Sequence, residues 1–440
     1  MKKLKIAVIG AASASFGPGC VADAVNCEPL RGGTLALVDL DAARLKVMGQ
    51  VARRASDAAG AGLRIECTTD RREALKGADF VVTSIAVKRN ERWKLDFEIP
   101  LKYGFHQVLG ENGGPGGLFH TMRNVPIMLA IARDMEQLCP EAILLNYTNP
   151  ESRICLAVSR HTRIGAAGLC HGIFMGVDTL ADIAKVPRAE VDIKAAGLNH
   201  FIWALSVRRR GTGEDLYPLI RERVKTLPPD YAPLTIRMFK AFGLFPFPSD
   251  DHIGEYLAYA WGQCRHKGYD FAGADAHAAK QWRRIQDMAS GREPVADYVR
   301  RQSGESAFDI VRAVSRDEDV LIPAVNIPNR GCITNLPADA VVEIPIVASA
   351  AGLQGVCVGP LPEPIAAMCR TQITIQELAV EAAVTGSRQA AIQALLLDPV
   401  VNDMDAAEQC LDEMLRVHRA FLPQFTGLNR PAARRKASRR

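Results

Sequence analysis

The 440-residue sequence predicts an α/β fold, with a doubly wound parallel sheet in its first part and a mixed α+β domain behind it. Three observations predict this. Residues 4–10 (LKIAVIG) are an apolar, β-branched run ending in glycine, the pattern of a strand buried on both faces. Strand-like runs then alternate with helical spacing, which builds parallel sheets whose ligands sit at the carboxyl ends of the strands. Past about residue 195 the alternation stops.

Taken in order, a helix follows the first strand from about Gly17 to Cys27. A second strand (GTLALVDLD, 33–41) ends in Asp39 and Asp41, and helical spacing follows to residue 60. Residues 70–87 read as helix, short turn and strand. Residues 124–150 repeat that pattern and end in the polar NYTNP. The short apolar runs TRIGAAGL (162–169) and Gly197-Leu198-Asn199 read as strand tips. Residues 200–220 suggest two antiparallel strands joined at Gly211-Thr212-Gly213. Helices, a strand-like stretch at 340–359 and Ala-rich helices over 365–420 complete the chain. The expected domains are therefore 1–195 and 196–427, with a basic, disordered tail at 428–440.

Composition narrows the function. The hydrophobic fraction of 48% and charged fraction of 23% are those of a soluble enzyme. Six positive charges lie in the last eleven residues, and without them the net charge of +5 becomes −1, so no nucleic-acid surface is expected. No run approaches the roughly 20 apolar residues of a membrane span. Eleven cysteines, scattered with no CxxC, fit a reduced, cytoplasmic protein.

The loop GAASASFGPG (10–19) would bring backbone N–H groups, at Gly10, Ala12 and Ser13, and a helix N-terminus against a pyrophosphate. Ala12 and Ser15 stand where a GxGxxG fingerprint has glycine, and a bare strand-helix turn is the competing reading. Asp39 follows the loop by about twenty residues, where a carboxylate binds an adenosine ribose and repels a 2′-phosphate. The expected cofactor is NAD.

Cys170 and His200 each follow a strand tip, so both would project from the rim where a nicotinamide lies. A thiol and an imidazole can share a divalent metal if the fold brings their loops together. A buried apolar cysteine and a core histidine are the plainer alternatives.

At these residues the chain resembles glycoside hydrolase family 4, the NAD- and metal-dependent glycosidases related in fold to lactate and malate dehydrogenases. The resemblance runs from KIAVIGAAS (5–13) to EAAVTGSRQAAIQALLLDP (381–399). Its specific pieces are LDFEIPLKYG, ENGGPGGLFHTMRNVP, NYTNP, LCHGI, GLNHF, DDHIGEYL and VNIPNRGCITNLPADAVVEIP, in the family's order. It implies that Cys170 and His200 ligate Mn²⁺, with substrate hydroxyls and water completing the sphere. The implied chemistry oxidises the sugar C3 hydroxyl by hydride transfer to NAD⁺, removes the acidified C2 proton, eliminates the C1 oxygen, adds water and reduces C3 again. It also implies a homodimer or homotetramer acting on a small carbohydrate.

By the same resemblance Asn149 would bind substrate hydroxyls; a helix N-cap before Pro150 is its other reading. Asn112 lies in a Gly-rich loop able to approach substrate, or is a plain turn residue. Asp251 is the candidate C2 base, with Asp250 and Tyr256 as rivals, although an Asp-Asp-His cluster also suits a solvated helix start. His171 is placed to protonate the leaving oxygen, or else orients Cys170. The sequence Cys-His-Gly-Ile resembles the α-glucuronidase and α-galacturonidase group, whereas α-glucosidases and α-galactosidases carry Glu or Ser at the position of Gly172. A uronate needs a cation, and Lys88, Arg89, Arg92 and Arg330 all fall in the motifs. Two other classes compete: a hydroxy-acid dehydrogenase, which would want a Gly-x-His-Gly setting that His200 lacks, and a non-catalytic sugar or dinucleotide sensor.

Overall fold

The strands of both halves of the chain join one sheet. The computed structural model describes residues 3–265, 267–300 and 303–425; the tail expected at 428–440 lies outside them. The first six strands are β1 (Lys5–Ile9), β2 (Thr34–Val38), β3 (Arg64–Thr68), β4 (Phe80–Thr83), β5 (Ile143–Asn146) and β6 (Ala166–Gly168). They lie parallel in the order β3-β2-β1-β4-β5-β6, so the direction of winding reverses between β1 and β4. A crevice at that reversal, outside the carboxyl ends, is where this topology binds ligands.

The second half adds β7 (Val191–Leu198), β8 (Phe201–Arg209), β9 (Phe245–Phe247), β10 (Val320–Pro328), β11 (Val341–Ser349) and β12 (Gly352–Gly355). They extend the same sheet as β10-β11-β7-β8-β9, with β12 on β11, making twelve strands among the described residues. The division expected at 195 thus falls inside β7, because the change from parallel to antiparallel pairing occurs within a continuous sheet.

The hairpin expected at Gly211–Gly213 differs from what forms. β8 pairs with β7, through a two-residue turn at Asn199-His200. Past Gly213 the return amounts to one bridge, Arg208 to Asp215. Pro218 then helps start the helix Tyr217–Arg223, since its missing N–H costs nothing in a first helical turn.

Helices cover both faces, giving two large apolar cores and a third around the β7–β8 hairpin. One core carries a buried charge cluster. Asp96, on the helix Arg89–Lys102, is 2.9 Å from Arg123 Nη1 and 3.0 Å from His418 Nε2. Burial opposes ionisation of Asp96, but the Arg123 guanidinium beside it holds the carboxyl below its ordinary value. Removing one partner of such a pair strands the other charge, at about 3–5 kcal/mol. Arg123→Met is expected to lower unfolding free energy by that amount in denaturant titration. The double variant Asp96→Leu/Arg123→Met should recover part of it, and a single variant as stable as the parent would show the pair to be worth nothing. No helix among the described residues is long and apolar enough to cross a membrane.

Candidate active site

The dinucleotide loop begins where β1 ends. Gly10 has φ +88°, and its N–H donates to Val38 O on β2. A Cβ there would stand 2.1 Å from the Ser84 carbonyl oxygen beyond β4. Asp39 ties this loop to β2: its carboxylate accepts the Ala12 N–H at 3.0 Å and the Asp41 N–H at 3.0 Å. Ser13 accepts the Phe16 N–H at 3.2 Å, leading into the helix Gly17–Asn26. Gly10→Ala combines a left-handed backbone with that overlap, and should cost at least about 2 kcal/mol and open the loop. Binding of NAD⁺ should then weaken more than tenfold in a fluorescence titration, whereas Ala12→Gly should change it little. Tight binding by Gly10→Ala would mean the loop does not hold the dinucleotide.

At the end of β6, the Cys170 sulfur accepts one long bond, 3.4 Å, from the Gly172 N–H. Burial, followed by the charges of Glu151 and Glu343, pushes its thiol well above its ordinary value. His171 is largely exposed, and its Nδ1 lies 3.4 Å from Glu305, whose hydrogen bond raises the imidazole's pKa.

His200 occupies the second position of the β7–β8 turn with φ +62°, a left-handed conformation a non-glycine residue holds only when its surroundings impose it. The segment 249–256 supplies those surroundings. The His252 ring meets the His200 ring edge-on at 4.4 Å, and the Tyr256 hydroxyl donates to Asn199 O at 3.1 Å. From the other side Asn199 Nδ2 reaches Glu343 at 3.3 Å and Glu151 at 3.4 Å. Both carboxyls are buried. Burial pushes Glu343 up to about 8, and burial together with the charge of Glu343 pushes Glu151 well above its ordinary value. Asn112 is buried, with its side-chain amide 3.2 Å from His200 Nδ1, so it faces the imidazole instead of open solvent. Burial, then the charge of His252, pulls His200 down to about 3, leaving a neutral ring.

The three base candidates separate here. Asp250 accepts the Leu234 and Thr235 N–H groups, at 3.1 and 2.8 Å, at the start of the helix Pro233–Phe242, which occupies it structurally. Tyr256 is buried, its hydroxyl spent on Asn199. Asp251 is partly exposed and 2.9 Å from His252 Nδ1; burial opposes its ionisation, but hydrogen bonds from His252 hold it well below its ordinary value.

The substrate candidates also divide. Asn149 does not cap the helix Glu151–His161; its Nδ2 turns to Glu111 Oε1 at 3.3 Å. Glu111 faces Arg89 at 3.6 Å. Lys88, just before the helix Arg89–Lys102, is exposed. Arg92 is paired with Glu91 and lies over the Phe421 ring at 4.7 Å. Arg330 sits in the β10–β11 connection, bonded through its N–H to Ala338 O. Its neighbour in that connection, Asp339, pairs with Arg160 in the last turn of the helix that starts at Glu151, so Arg330 is at the far end of that helix from Asn149. Motif membership put Arg92 and Arg330 near the pocket; strand direction carries Arg330 to the opposite end of the sheet from Cys170, and Arg92 is engaged with Glu91 and Phe421. Glu111, Glu255, His252, Glu151, Glu343 and Glu305 escaped the sequence reading, although the first three stand inside ENGGPGG and DDHIGEYL.

A metal held by two protein ligands would take Cys170 and His200. No group of three or more His, Cys, Asp or Glu gathers as a metal site among the described residues. The His200 ring is neutral, the ligating form, and Glu255 Oε2 is a buried carboxylate oxygen without a hydrogen-bond partner, 3.9 Å from His200 Nδ1. A divalent cation would reverse the pressure that keeps the Cys170 thiol protonated.

Residues 5–186 match the family 4 glycosyl hydrolase family and residues 195–401 its C-terminal domain. The chain is 32% identical to the α-glucosidase of Erwinia rhapontici, over 95% of this chain and 98% of that protein. It is 31% identical to the α-galactosidase of Bacillus subtilis (96% and 99% covered) and 29% identical to that organism's α-galacturonidase (94% and 98%). Among solved structures, lplD of B. subtilis superposes with a TM-score of 0.84 at 27% identity, covering 94% of this chain and all of that one. A 6-phospho-α-glucosidase from gut microorganisms, solved with NAD and Mn²⁺, superposes at 0.80 and 22% identity over 96% of this chain and all of that one. The malate dehydrogenase of Plasmodium falciparum shares the fold at 0.51 and 13% identity over 87% and 98%. The chain belongs to family 4 of the glycosyl hydrolases.

Proposed function

We propose that this protein hydrolyses α-uronides, glucuronides or galacturonides, with NAD⁺ and Mn²⁺. The observation that carries the reading is a buried, neutral His200 imidazole and the Cys170 sulfur at strand ends of a dinucleotide-binding sheet. When bound, NAD⁺ accepts and returns the C3 hydride, and Mn²⁺ polarises the C3 oxygen so that the C2 proton becomes acidic.

The chain's own residues have distinct tasks. Asp251, kept ionised by His252, takes the C2 proton. His171, its pKa raised by Glu305, gives a proton to the leaving oxygen at C1. Asn149, held by Glu111, and Asn112, held against His200, orient the substrate hydroxyls. Arg89, the arginine beside Glu111, is the cation for a uronate carboxylate. Support for the uronide comes from Arg89 and the Cys-His-Gly-Ile sequence. The α-glucosidase and α-galactosidase relatives favour a neutral sugar as the second reading.

A panel of nitrophenyl α-glucuronide, α-galacturonide, α-glucoside and α-galactoside, assayed with thiol and with or without NAD⁺ and Mn²⁺, tests this. Release from a uronide only with both cofactors is expected. Cofactor-dependent release from a neutral glycoside alone would remove the uronide. Net NADH formation without hydrolysis would revive a dehydrogenase, and inertness towards all four a sensor.

A further inference from the structure

Cys332 and Cys357 stand 25 positions apart in the sequence, and their sulfurs meet at 3.9 Å. Cys332 lies in the β10–β11 connection and is buried; Cys357 follows β12 and is exposed. Backbone hydrogen bonds hold the two segments side by side around the thiols. The Val358 N–H donates to Cys332 O at 2.9 Å, and the Thr334 N–H donates to Gly359 O at 3.3 Å. Just beyond, the Asn335 amide exchanges two hydrogen bonds with the Leu361 backbone, at 2.9 and 3.0 Å. On the other side of Cys357, the Val356 N–H donates to Pro345 O on β11 at 2.8 Å. A Cβ on residue 355 would stand 2.8 Å from Cys332 Sγ, so glycine there gives the sulfur its room. The two backbones are thus already in contact at the pair. Side-chain rotation is what remains to bring the sulfurs to the bond length of about 2 Å.

We propose that Cys332 and Cys357 form a reversible disulfide on meeting a small-molecule disulfide such as oxidised glutathione, locking residues 355–359 to the β10–β11 connection. The Cys357 thiol loses its proton and attacks one sulfur of the small disulfide, whose other half leaves and takes up a proton. Cys332 then loses its proton and attacks the Cys357 sulfur, releasing the second half in the same way. Each step breaks one S–S bond and forms another. In total two protein thiols give up two electrons and two protons, which leave on the two thiols of the spent oxidant. Burial, then the neighbouring Cys357, raises the Cys332 thiol above its ordinary value, so the exposed partner makes the first attack. The lock is separate from the metal chemistry. Asn326 pairs antiparallel with Gly168, so the chain beyond Asn326 runs away from the end of β6 that leads to Cys170. A disulfide spanning 25 positions also removes freedom from the unfolded chain, which favours the folded one.

The test incubates full-length, reduced protein, loaded with NAD⁺ and Mn²⁺, with glutathione disulfide. Remaining thiols are blocked with N-ethylmaleimide and the peptides are mapped by mass spectrometry. A cross-link joining the peptides of Cys332 and Cys357 is expected as the main disulfide within the protein, and dithiothreitol should release it. The cross-linked protein should melt about 2–4 °C higher, and the reductant should restore the original melting temperature. Cys332→Ser should instead accumulate glutathione on Cys357, because nothing resolves the mixed disulfide, whereas Cys357→Ser should leave Cys332 unmodified. The parent shows the cross-link without any substitution, so the result does not depend on either variant folding. Parent protein in which both cysteines stay free, or in which Cys357 keeps glutathione without linking to Cys332, overturns the proposal. A Cys332–Cys357 cross-link that lowers the melting temperature overturns it too, since the closed pair would then not fit the fold.

Discussion

Cys170→Ser is expected to lose Mn²⁺ and hydrolysis together while still binding NAD⁺. The substitution is nearly isosteric, and the sulfur's one recorded bond is the 3.4 Å contact from Gly172 N–H, so little of the fold depends on it. A serine hydroxyl does not ionise as a thiol does and is a poor donor to a divalent ion, leaving His200 alone on the protein's side. Lewis-acid activation is worth several kcal/mol, so kcat should fall about 10³-fold. NAD⁺ binding should stay within about threefold, because the Gly10–Gly17 loop is built on β1 and β2, across the sheet from β6. Metal content by elemental analysis and NAD⁺ titration on one preparation give the comparison. Normal metal in the serine variant would take Cys170 out of the coordination sphere; loss of both cofactors would point to a folding defect.

The parts legible in the sequence were those set by local pattern. Residues 4–10, the helix beginning at Gly17 and the strand before Asp39 stand where periodicity put them, because buried parallel strands are apolar throughout and end in turn residues. Cys170 and His200 were visible because each follows a strand tip. The hairpin was misread because glycine punctuation at 211–213 is a stronger local signal than Asn199-His200, although the latter makes the turn. His200 adopts φ +62° there only because His252, Tyr256 and Asn199 hold the turn from both sides. Those contacts join residues more than fifty positions apart, or more than a hundred for Glu343, and no spacing rule reports them. The same holds for the buried carboxyls: Glu151 and Glu343 look like surface acids in the sequence, and only pairing with Asn199 and Asn326 explains their burial. Arg330 sits in one of the motifs, but a motif does not say at which end of an antiparallel strand it falls.

Adjacent aspartates in one motif should give opposite results when each is replaced. Asp250 accepts two backbone N–H groups and the Thr235 hydroxyl at 2.7 Å at the start of Pro233–Phe242. Asp250→Ala should therefore cost about 1–2 kcal/mol of stability, as loss of a helix cap does, with kcat of the folded fraction within about twofold of the parent. Asp251 instead makes its hydrogen bonds within its own segment, to Ser249 and His252. Asp251→Asn keeps the shape and removes the proton acceptor, so kcat should fall about 10²–10⁴-fold with the melting temperature nearly unchanged. Solvent deuterium gives a readout specific to this step. Where the parent exchanges hydrogen at C2 of the sugar, Asp251→Asn should retain the original hydrogen, while still oxidising C3 in a single turnover detectable as NADH absorbance. Exchange at the parental rate in Asp251→Asn would pass the base role to another group, and His252, 2.9 Å from that carboxylate, would be the next to replace.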